Sequence, residues 1–234
     1  ALRAYYEQAG ILIARPAGGT SCRLAISAKG GTNAENHNHN DVGSYAVALG
    51  SETMVGDQGG PNSYPGDYFN GDAPQKYKIK GSFGHPVPVV DGRTQSSGGK
   101  AKGVVLQKEF TNEKDVFSIN YTSAYSTPNL DKLIRTFVYD RQGKGSFTVG
   151  DEFTAKTPIR FETAITTRAD WKILDDTHLL LATDSEQMIV AIEASGKVAF
   201  TSETIEVNSP AYTRIGIALK NQSKDGYIRL KMYT

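Results

Sequence analysis

The sequence lacks three features that would each place it in a special class of protein. It has no apolar run of about 18 residues, so no segment is predicted to span a membrane as a helix. It has one cysteine, Cys22, which excludes an intrachain disulfide, and the strand-like apolar surroundings predict a buried thiol. The 234 residues include 26 Lys and Arg and 25 Asp and Glu, so the chain also lacks the excess positive charge typical of nucleic-acid-binding proteins.

Helical periodicity is nearly absent as well, and strand patterns occupy most of the chain. Apolar and polar residues alternate in short runs rich in Val, Ile, Thr, Tyr and Phe, with turn residues between them. The predicted strands cover residues 10–14, 21–28, 42–49, 104–110, 116–121, 133–139, 146–153, 159–166, 178–182, 188–194, 198–202, 212–219 and 227–232. Helical turns are predicted only in the first eight residues and at 74–79. The pattern predicts an all-β fold, a large antiparallel β-sandwich with almost no helix, as a single domain over residues 1–234.

Histidine is scarce, and two of the four histidines stand in one hexapeptide, NHNHND at residues 36–41. In an extended backbone, side chains two residues apart point to the same face, which predicts that His37 and His39 lie together. Two neighbouring imidazoles can bind a transition metal, or one can bind the metal while the other moves protons. This hexapeptide is therefore the first candidate for a functional site.

The segment at residues 56–103 interrupts the strand pattern and contains a third histidine, His85. It is rich in Gly, Pro, Asn, Ser and Asp, and it also carries several tyrosines. A loop-rich stretch of this length inside a compact domain is usually functional or disordered, and aromatic residues argue against a disordered linker. We therefore expect this segment to lie over the face that carries the histidines.

Two imidazoles and one carboxylate from these segments form a candidate metal site. His39 and His85 offer neutral nitrogen donors, and Asp57 follows a short strand-like run and precedes two glycines. Three such protein ligands, with a fourth position for water or another donor, are typical of zinc. Two alternatives remain open: the histidines are hydrogen-bonded parts of a polar loop, or the fold is a cupin. A cupin needs an acidic residue shortly after the second histidine, where this chain has Val42, Gly43 and Ser44.

The other two histidines and three alternating lysines also carry groups that can bind ligands or transfer protons. His37 is a candidate general acid or base, with a structural histidine as the alternative. His178 follows two aspartates and is predicted to be an exposed turn residue. Lys76, Lys78 and Lys80 alternate, which would align three ammonium groups on one strand face, either for an acidic ligand or as a solvated surface.

At these same residues the sequence resembles a known family. Residues 31–45 (GTNAENHNHNDVGSY), 55–59 (VGDQG) and 84–92 (GHPVPVVDG) resemble, in this order, three motifs of the heparinase II/III-like polysaccharide lyases. In that family an N-terminal α/α toroid precedes a large antiparallel β-sandwich. The resemblance implies that this chain is the sandwich part alone, excised from a larger lyase. It also implies a periplasmic or secreted bacterial protein.

The resemblance further implies roles for individual residues. The zinc ligands of the family fall on His39, Asp57 and His85, and its catalytic histidine falls on His37. The expected cofactor is a structural zinc ion, and the expected substrate is an acidic, glycosaminoglycan-like polysaccharide containing uronic acid. The catalytic tyrosine and the group that neutralises the uronate carboxylate belong to the toroid, so the chain alone is expected to be weakly active or inactive. The alternative function is a non-catalytic carbohydrate-binding or scaffolding sandwich.

Overall fold

The structure is a computed structural model that describes residues 1–57, 59–207 and 209–234. Within these ranges strands dominate, and one short α-helix occurs, α1 (Ala73–Lys76). The strands are β1 (Arg3–Tyr6), β2 (Ile11–Ala14), β3 (Leu24–Lys29), β4 (Gly31–Asn33), β5 (Tyr45–Leu49), β6 (Glu52–Val55), β7 (Val89–Val90), β8 (Gly98–Phe110), β9 (Lys114–Asn120), β10 (Leu130–Asp140), β11 (Ser146–Ile159), β12 (Phe161–Thr167), β13 (Asp170–Asp175), β14 (His178–Ala182), β15 (Gln187–Ala194), β16 (Val198–Val207), β17 (Ser209–Leu219) and β18 (Ser223–Tyr233). The predicted all-β sandwich is confirmed.

These strands form three antiparallel sheets within the described ranges. The first sheet has the strand order β1-β2-β3-β5-β6, and the third has the order β16-β17-β12-β7. The long sheet has the order β13-β14-β15-β18-β11-β10-β9-β8-β4. In the middle of the long sheet β10 pairs with β11, and their register sets Arg135 opposite Asp151. This pair becomes important for the site because it lies under the loops that carry the histidines.

The core lies where the first sheet packs against the long sheet. On β11 the burial alternates, so Phe147 and Val149 point inward, as the period of two in the sequence predicts. Tyr45 of the first sheet lies between two rings of the long sheet, with centroid distances of 6.2 Å to Phe137 and 5.9 Å to Phe147. Cys22 is buried in the same core, as predicted. Such face-to-face packing of two sheets over an apolar layer defines a sandwich.

Three local features differ from the sequence prediction. The first residues do not form a helical turn, because β1 pairs with β2 as an edge hairpin of the first sheet. The strand at β13 was not predicted, since it is an edge strand whose residues are mostly exposed and its pattern is therefore weak. The predicted turn at 74–79 is present only as α1, which has Pro74 in its first turn. No helix in the described part of the chain is long and apolar enough to cross a membrane.

Candidate functional site

The segments predicted to carry the site come together between the first sheet and the loops above the long sheet. His39 lies in the loop between β4 and β5, Asp57 follows β6, and His85 follows a 3-10 turn at Ser82–Gly84. Gln58, which belongs to the motif at residues 55–59, lies outside the described residues. The long segment that begins at residue 56 covers the histidines, as expected, because Tyr68 donates or accepts a hydrogen bond at Nε2 of His39 over 3.1 Å.

His85 and two carboxylates form the tightest group of metal-ligand atoms in the described ranges. Each of Asp41, Asp57 and His85 offers an atom within 4.8 Å of the others. Nδ1 of His85 lies 3.0 Å from Oδ1 of Asp57, and the His85 side chain is 1% exposed. Nδ1 is thus paired with Asp57, whereas Nε2 of this buried histidine has no hydrogen-bond partner in the part of the chain described. A buried imidazole with a free Nε2 beside two carboxylates is a site that a cation would satisfy.

His39 lies next to this group of three side chains. Its ring centroid is 5.2 Å from that of His85 and 6.3 Å from that of Tyr68. The structure therefore brings all three predicted ligands, His39, Asp57 and His85, into one neighbourhood. Asp41 is the fourth acidic or imidazole group there, and sequence reasoning did not select it although it ends the hexapeptide. Its carboxylate already forms an ion pair with Lys29.

The charges of these groups suit a metal site. Burial, and then the neighbouring His85, lower the pKa of His39 to about 4, so its imidazole is neutral at neutral pH and keeps a free lone pair. Burial alone would raise the pKa of Asp57, but His85 and hydrogen bonds from Ser44 and Gly59 hold it well below the usual 3.8. Burial opposes a proton on His85, yet the Asp57 carboxylate raises its pKa above 6.5. A metal ion would therefore displace a proton from His85 on binding.

The donor set fits zinc. Imidazole nitrogen and carboxylate oxygen are zinc ligands, with bonds of about 2.0–2.2 Å, which place neighbouring ligand atoms roughly 3.4 Å apart around a tetrahedron. The 3.0 Å separation between His85 and Asp57 is close to that spacing. The zinc ion itself remains a prediction, as does the assignment of His39, Asp57 and His85 as its ligands.

A buried arginine holds two of the site loops in place. Arg135 is fully buried, and its guanidinium donates to the carbonyl oxygens of Gly43 and Pro86, each over 2.7 Å. The same group binds both oxygens of Asp151, over 2.7 and 2.6 Å. Pro86 directly follows the candidate ligand His85, and Gly43 lies two residues after Asp41. The arginine thus connects the metal-site loops to the middle of the long sheet.

A buried amide network sets the shape of the histidine loop itself. Gln95 accepts hydrogen bonds from the side chain of Asn33 and from the backbone N–H of Val42, over 2.9 and 3.1 Å. Its own amide group donates to the carbonyl of Val42 over 2.7 Å. The side chain of Asn33 in turn accepts from the backbone N–H of Asp41 over 3.1 Å. Because these buried groups satisfy one another, the loop has a defined geometry before any ligand binds.

The glycine before His85 is required by close packing. A Cβ on Gly84 would lie 2.3 Å from the carbonyl oxygen of Lys78, well inside van der Waals contact. The backbone N–H of Gly84 donates to that carbonyl over 2.9 Å, and the hydroxyl of Tyr212 donates to the Gly84 carbonyl over 2.8 Å. These contacts orient the chain as it enters the metal centre.

The hexapeptide is a turn and not an extended strand, so the prediction based on alternation is wrong. His37 has a positive φ of 58°, a left-handed conformation that is uncommon for residues other than glycine. Its side chain is exposed and lies against Phe69, with ring centroids 4.8 Å apart. His39 instead faces His85. The turn therefore points the two side chains to different places, His39 toward the candidate metal ligands and His37 toward an open groove.

This groove has a volume of about 540 Å³, within the range of small-molecule sites. Its lining is mostly polar and amide-rich: Asn33, Glu35, Asn36, His37, Asn38, Asn40, Phe69, Asn70, Gly71, Pro74, Lys80 and Ser97. Amide side chains both donate and accept hydrogen bonds, which matches the hydroxyl groups of a sugar. An exposed aromatic ring beside them adds a face on which a sugar ring can stack.

The three alternating lysines do not share a strand face, so that prediction is wrong as well. Lys76 ends α1 and pairs with Asp67, and Lys78 pairs with Glu203. Lys80 alone is buried, at the floor of the groove. A helix with a proline in its first turn, and the turn that follows it, take the place of the strand that the alternation predicted. His178, predicted to be an exposed turn residue, instead begins β14 directly after the turn, is half-buried and pairs with Asp175.

Comparison with known proteins gives matches at the level of structure only. No protein-family model and no curated protein matches the chain. A solved structure of a heparinase III is 18% identical, with a TM-score of 0.75 over 98% of this chain and 36% of its own. The heparan sulfate lyase HepC from Pedobacter heparinus is 15% identical, with a TM-score of 0.77 over 100% of this chain and 36% of its own. Another heparinase III structure is 13% identical, with a TM-score of 0.77.

These matches confirm the predicted resemblance to heparinase-like lyases in fold. The chain spans about a third of the length of each of these structures. At such low identity the likeness extends to the β-sandwich architecture and not to individual residues. The activity, the substrate and the site residues therefore have to be argued from the geometry of this chain.

Proposed function

We propose that this chain is the β-sandwich domain of a larger polysaccharide lyase that cleaves a uronic-acid polysaccharide by β-elimination, with a structural zinc site. The observation that carries the proposal is the placement of His37 on an amide-rich groove, two residues along the chain from His39, whose ring lies beside the candidate metal ligand His85. The shared fold with heparinase III and with a heparan sulfate lyase supports it. A periplasmic or secreted location belongs to the same proposal.

β-Elimination needs two proton transfers. A base removes the proton from C5 of the uronate, the bond between C4 and the linking oxygen breaks, and a double bond forms between C4 and C5. An acid protonates the departing oxygen, and the negative charge that develops beside the carboxylate has to be neutralised. His37 is an exposed imidazole on the groove, and imidazole can give or take a proton near neutral pH. We assign it to one of these proton steps or to the charge neutralisation.

The metal has a structural role in this proposal. His39, Asp57 and His85 would hold the zinc ion, which would link the loop after β4, the end of β6 and the segment before β7. When bound, the ion supplies rigidity, because its binding free energy adds to the free energy of folding. The groove residues carry the chemistry, and the ion keeps the loop that presents His37 in one conformation.

The function is tested by assaying the elimination product, an unsaturated uronate, by its ultraviolet absorbance. The proposal places the tyrosine acid/base on a toroid outside this chain. The chain alone is therefore expected to show little or no turnover of heparan sulfate, chondroitin-type and alginate polymers, whereas the longer lyase turns over at least one of them. Strong turnover by the chain alone would contradict the need for a second domain. No unsaturated product from the longer protein with any uronate polymer would contradict the function.

A further inference from the structure

Lys80 is a buried cation at the floor of the groove. It is 6% exposed, and its ammonium group donates to the backbone carbonyl of Tyr68. The nitrogen lies 4.8 Å from the ring centroid of Tyr68 and 4.8 Å from that of Phe69. Lysine is almost never this buried in proteins unless it is paired, so its environment calls for a physical explanation.

Among the described residues, no carboxylate lies within ion-pair distance of Lys80. Its two neighbours in the same segment differ in this respect, since Lys76 and Lys78 are exposed and paired with Asp67 and Glu203. Burial lowers the pKa of Lys80, as expected for a cation that has lost water without gaining an anion. An ammonium group has three donors, and the Tyr68 carbonyl is a partner for one of them.

Lys80 and His37 are brought together by one aromatic ring. The ring centroid of Phe69 is 4.8 Å from that of His37 and 4.8 Å from Nζ of Lys80. The cation and the imidazole therefore both contact the Phe69 ring. All three residues line the groove. A saccharide bound in the groove therefore has a cation, an aromatic ring and an imidazole beside it.

We propose that Lys80 binds the acidic group of the substrate, a carboxylate or a sulfate, and so orients the sugar toward His37. The inference rests on the proposed function and adds the residue that selects an acidic sugar over a neutral one. The ammonium supplies charge-assisted hydrogen bonds, which are stronger than neutral ones. The bound acid supplies the counter-charge that no described carboxylate provides around this lysine. Lys80 is a binding and positioning residue in this account.

The test is calorimetric titration of the whole chain with heparan sulfate oligosaccharides at low ionic strength. Three forms are compared: the native oligosaccharide, the same after desulfation, and the same after both desulfation and reduction of its carboxyl groups. Lys80→Met is the test variant, because methionine keeps an unbranched side chain without the charge. Lys78→Met is the matched control, since that lysine is exposed and paired with Glu203.

Lys80→Met is expected to bind the native oligosaccharide roughly tenfold to hundredfold more weakly than the unsubstituted chain, and Lys78→Met to bind it with unchanged affinity. The neutral form should bind the unsubstituted chain and Lys80→Met equally, which also shows that the variant is folded. Loss of affinity on desulfation alone identifies the bound group as a sulfate, and loss only after carboxyl reduction identifies it as a carboxylate.

Two results would overturn the inference, and they are distinguishable. If Lys80→Met binds the native oligosaccharide as tightly as the unsubstituted chain does, the lysine is not the binding residue, although the proposed function stands. If the unsubstituted chain binds the native and the neutral oligosaccharides equally, no cation in the groove selects an acidic sugar. This holds whatever the affinity of Lys80→Met is. Failure of the chain to bind any of the three forms counts against the proposed function as well.

Discussion

Arg135→Met is expected to lower the free energy of unfolding by about 3–5 kcal/mol, because it leaves the Asp151 carboxylate buried without its counter-charge. It also removes the donor to the carbonyls of Gly43 and Pro86. The loops that carry the candidate metal ligands should loosen, so the variant should also retain less zinc. Urea-induced unfolding followed by circular dichroism measures the stability, and elemental analysis measures the zinc.

Arg229→Met is the control for this experiment. Arg229 is on β18 in the same sheet and pairs with Glu193, but both side chains are exposed, at 45% and 63%. Exposed pairs contribute about 0–1 kcal/mol, so this variant should unfold almost as the parent does. If Arg135→Met changes the unfolding free energy as little as Arg229→Met does, the buried pair does not organise the site.

In the longer lyase proposed above, His37→Asn is expected to reduce kcat by about 10²–10⁴, the usual contribution of one general acid or base. Asparagine is the appropriate replacement because, like histidine, it tolerates the left-handed backbone that this position adopts, with φ of 58°. Zinc content and thermal stability should stay at the level of the parent. The loss would then be chemical and not structural.

His178→Asn is the matched control, because His178 pairs with Asp175 at a turn between β13 and β14 and lines no part of the groove. Its turnover should equal that of the parent. If His37→Asn also turns over normally, His37 is not a proton-transfer residue. The chain would then fit the alternative function, a carbohydrate-binding or scaffolding sandwich.

Much of the fold could be predicted because the core strands alternate strictly. Predicted strands 116–121, 133–139 and 146–153 fall on β9, β10 and β11, whose inward residues are buried on every second position. Edge strands were harder to predict, because an exposed strand such as β13 has no apolar face that would identify it in the sequence. The first residues are similar, because β1 is four residues long and only its pairing with β2 makes it a strand.

Sequence reasoning selected side chains that the fold brings together, but it did not predict how they are arranged. Residue types and their order were enough to select His39, Asp57 and His85, which the fold brings into one neighbourhood. The turn at His37 was missed because a left-handed φ at a non-glycine residue has no signal in the alternation of side chains. Arg135 was missed because its partners Gly43 and Pro86 are distant in sequence and offer only backbone carbonyls, which any residue provides.

The special position of Lys80 could not be predicted from the sequence either. Its spacing from Lys76 and Lys78 suggested three equivalent ammonium groups. Only the packing of Tyr68 and Phe69 distinguishes the buried lysine from its exposed neighbours. Burial, and the lack of a counter-charge among the described residues, are tertiary properties that no local sequence pattern contains.

The most direct test of the account is anomalous diffraction at the zinc absorption edge from crystals of the chain purified without chelators. The account predicts one strong peak at bonding distance, about 2.0–2.2 Å, from His39, Asp57 and His85 together. A map with no peak among these three side chains, or with a zinc ion that leaves His39 or His85 unbound, would contradict it.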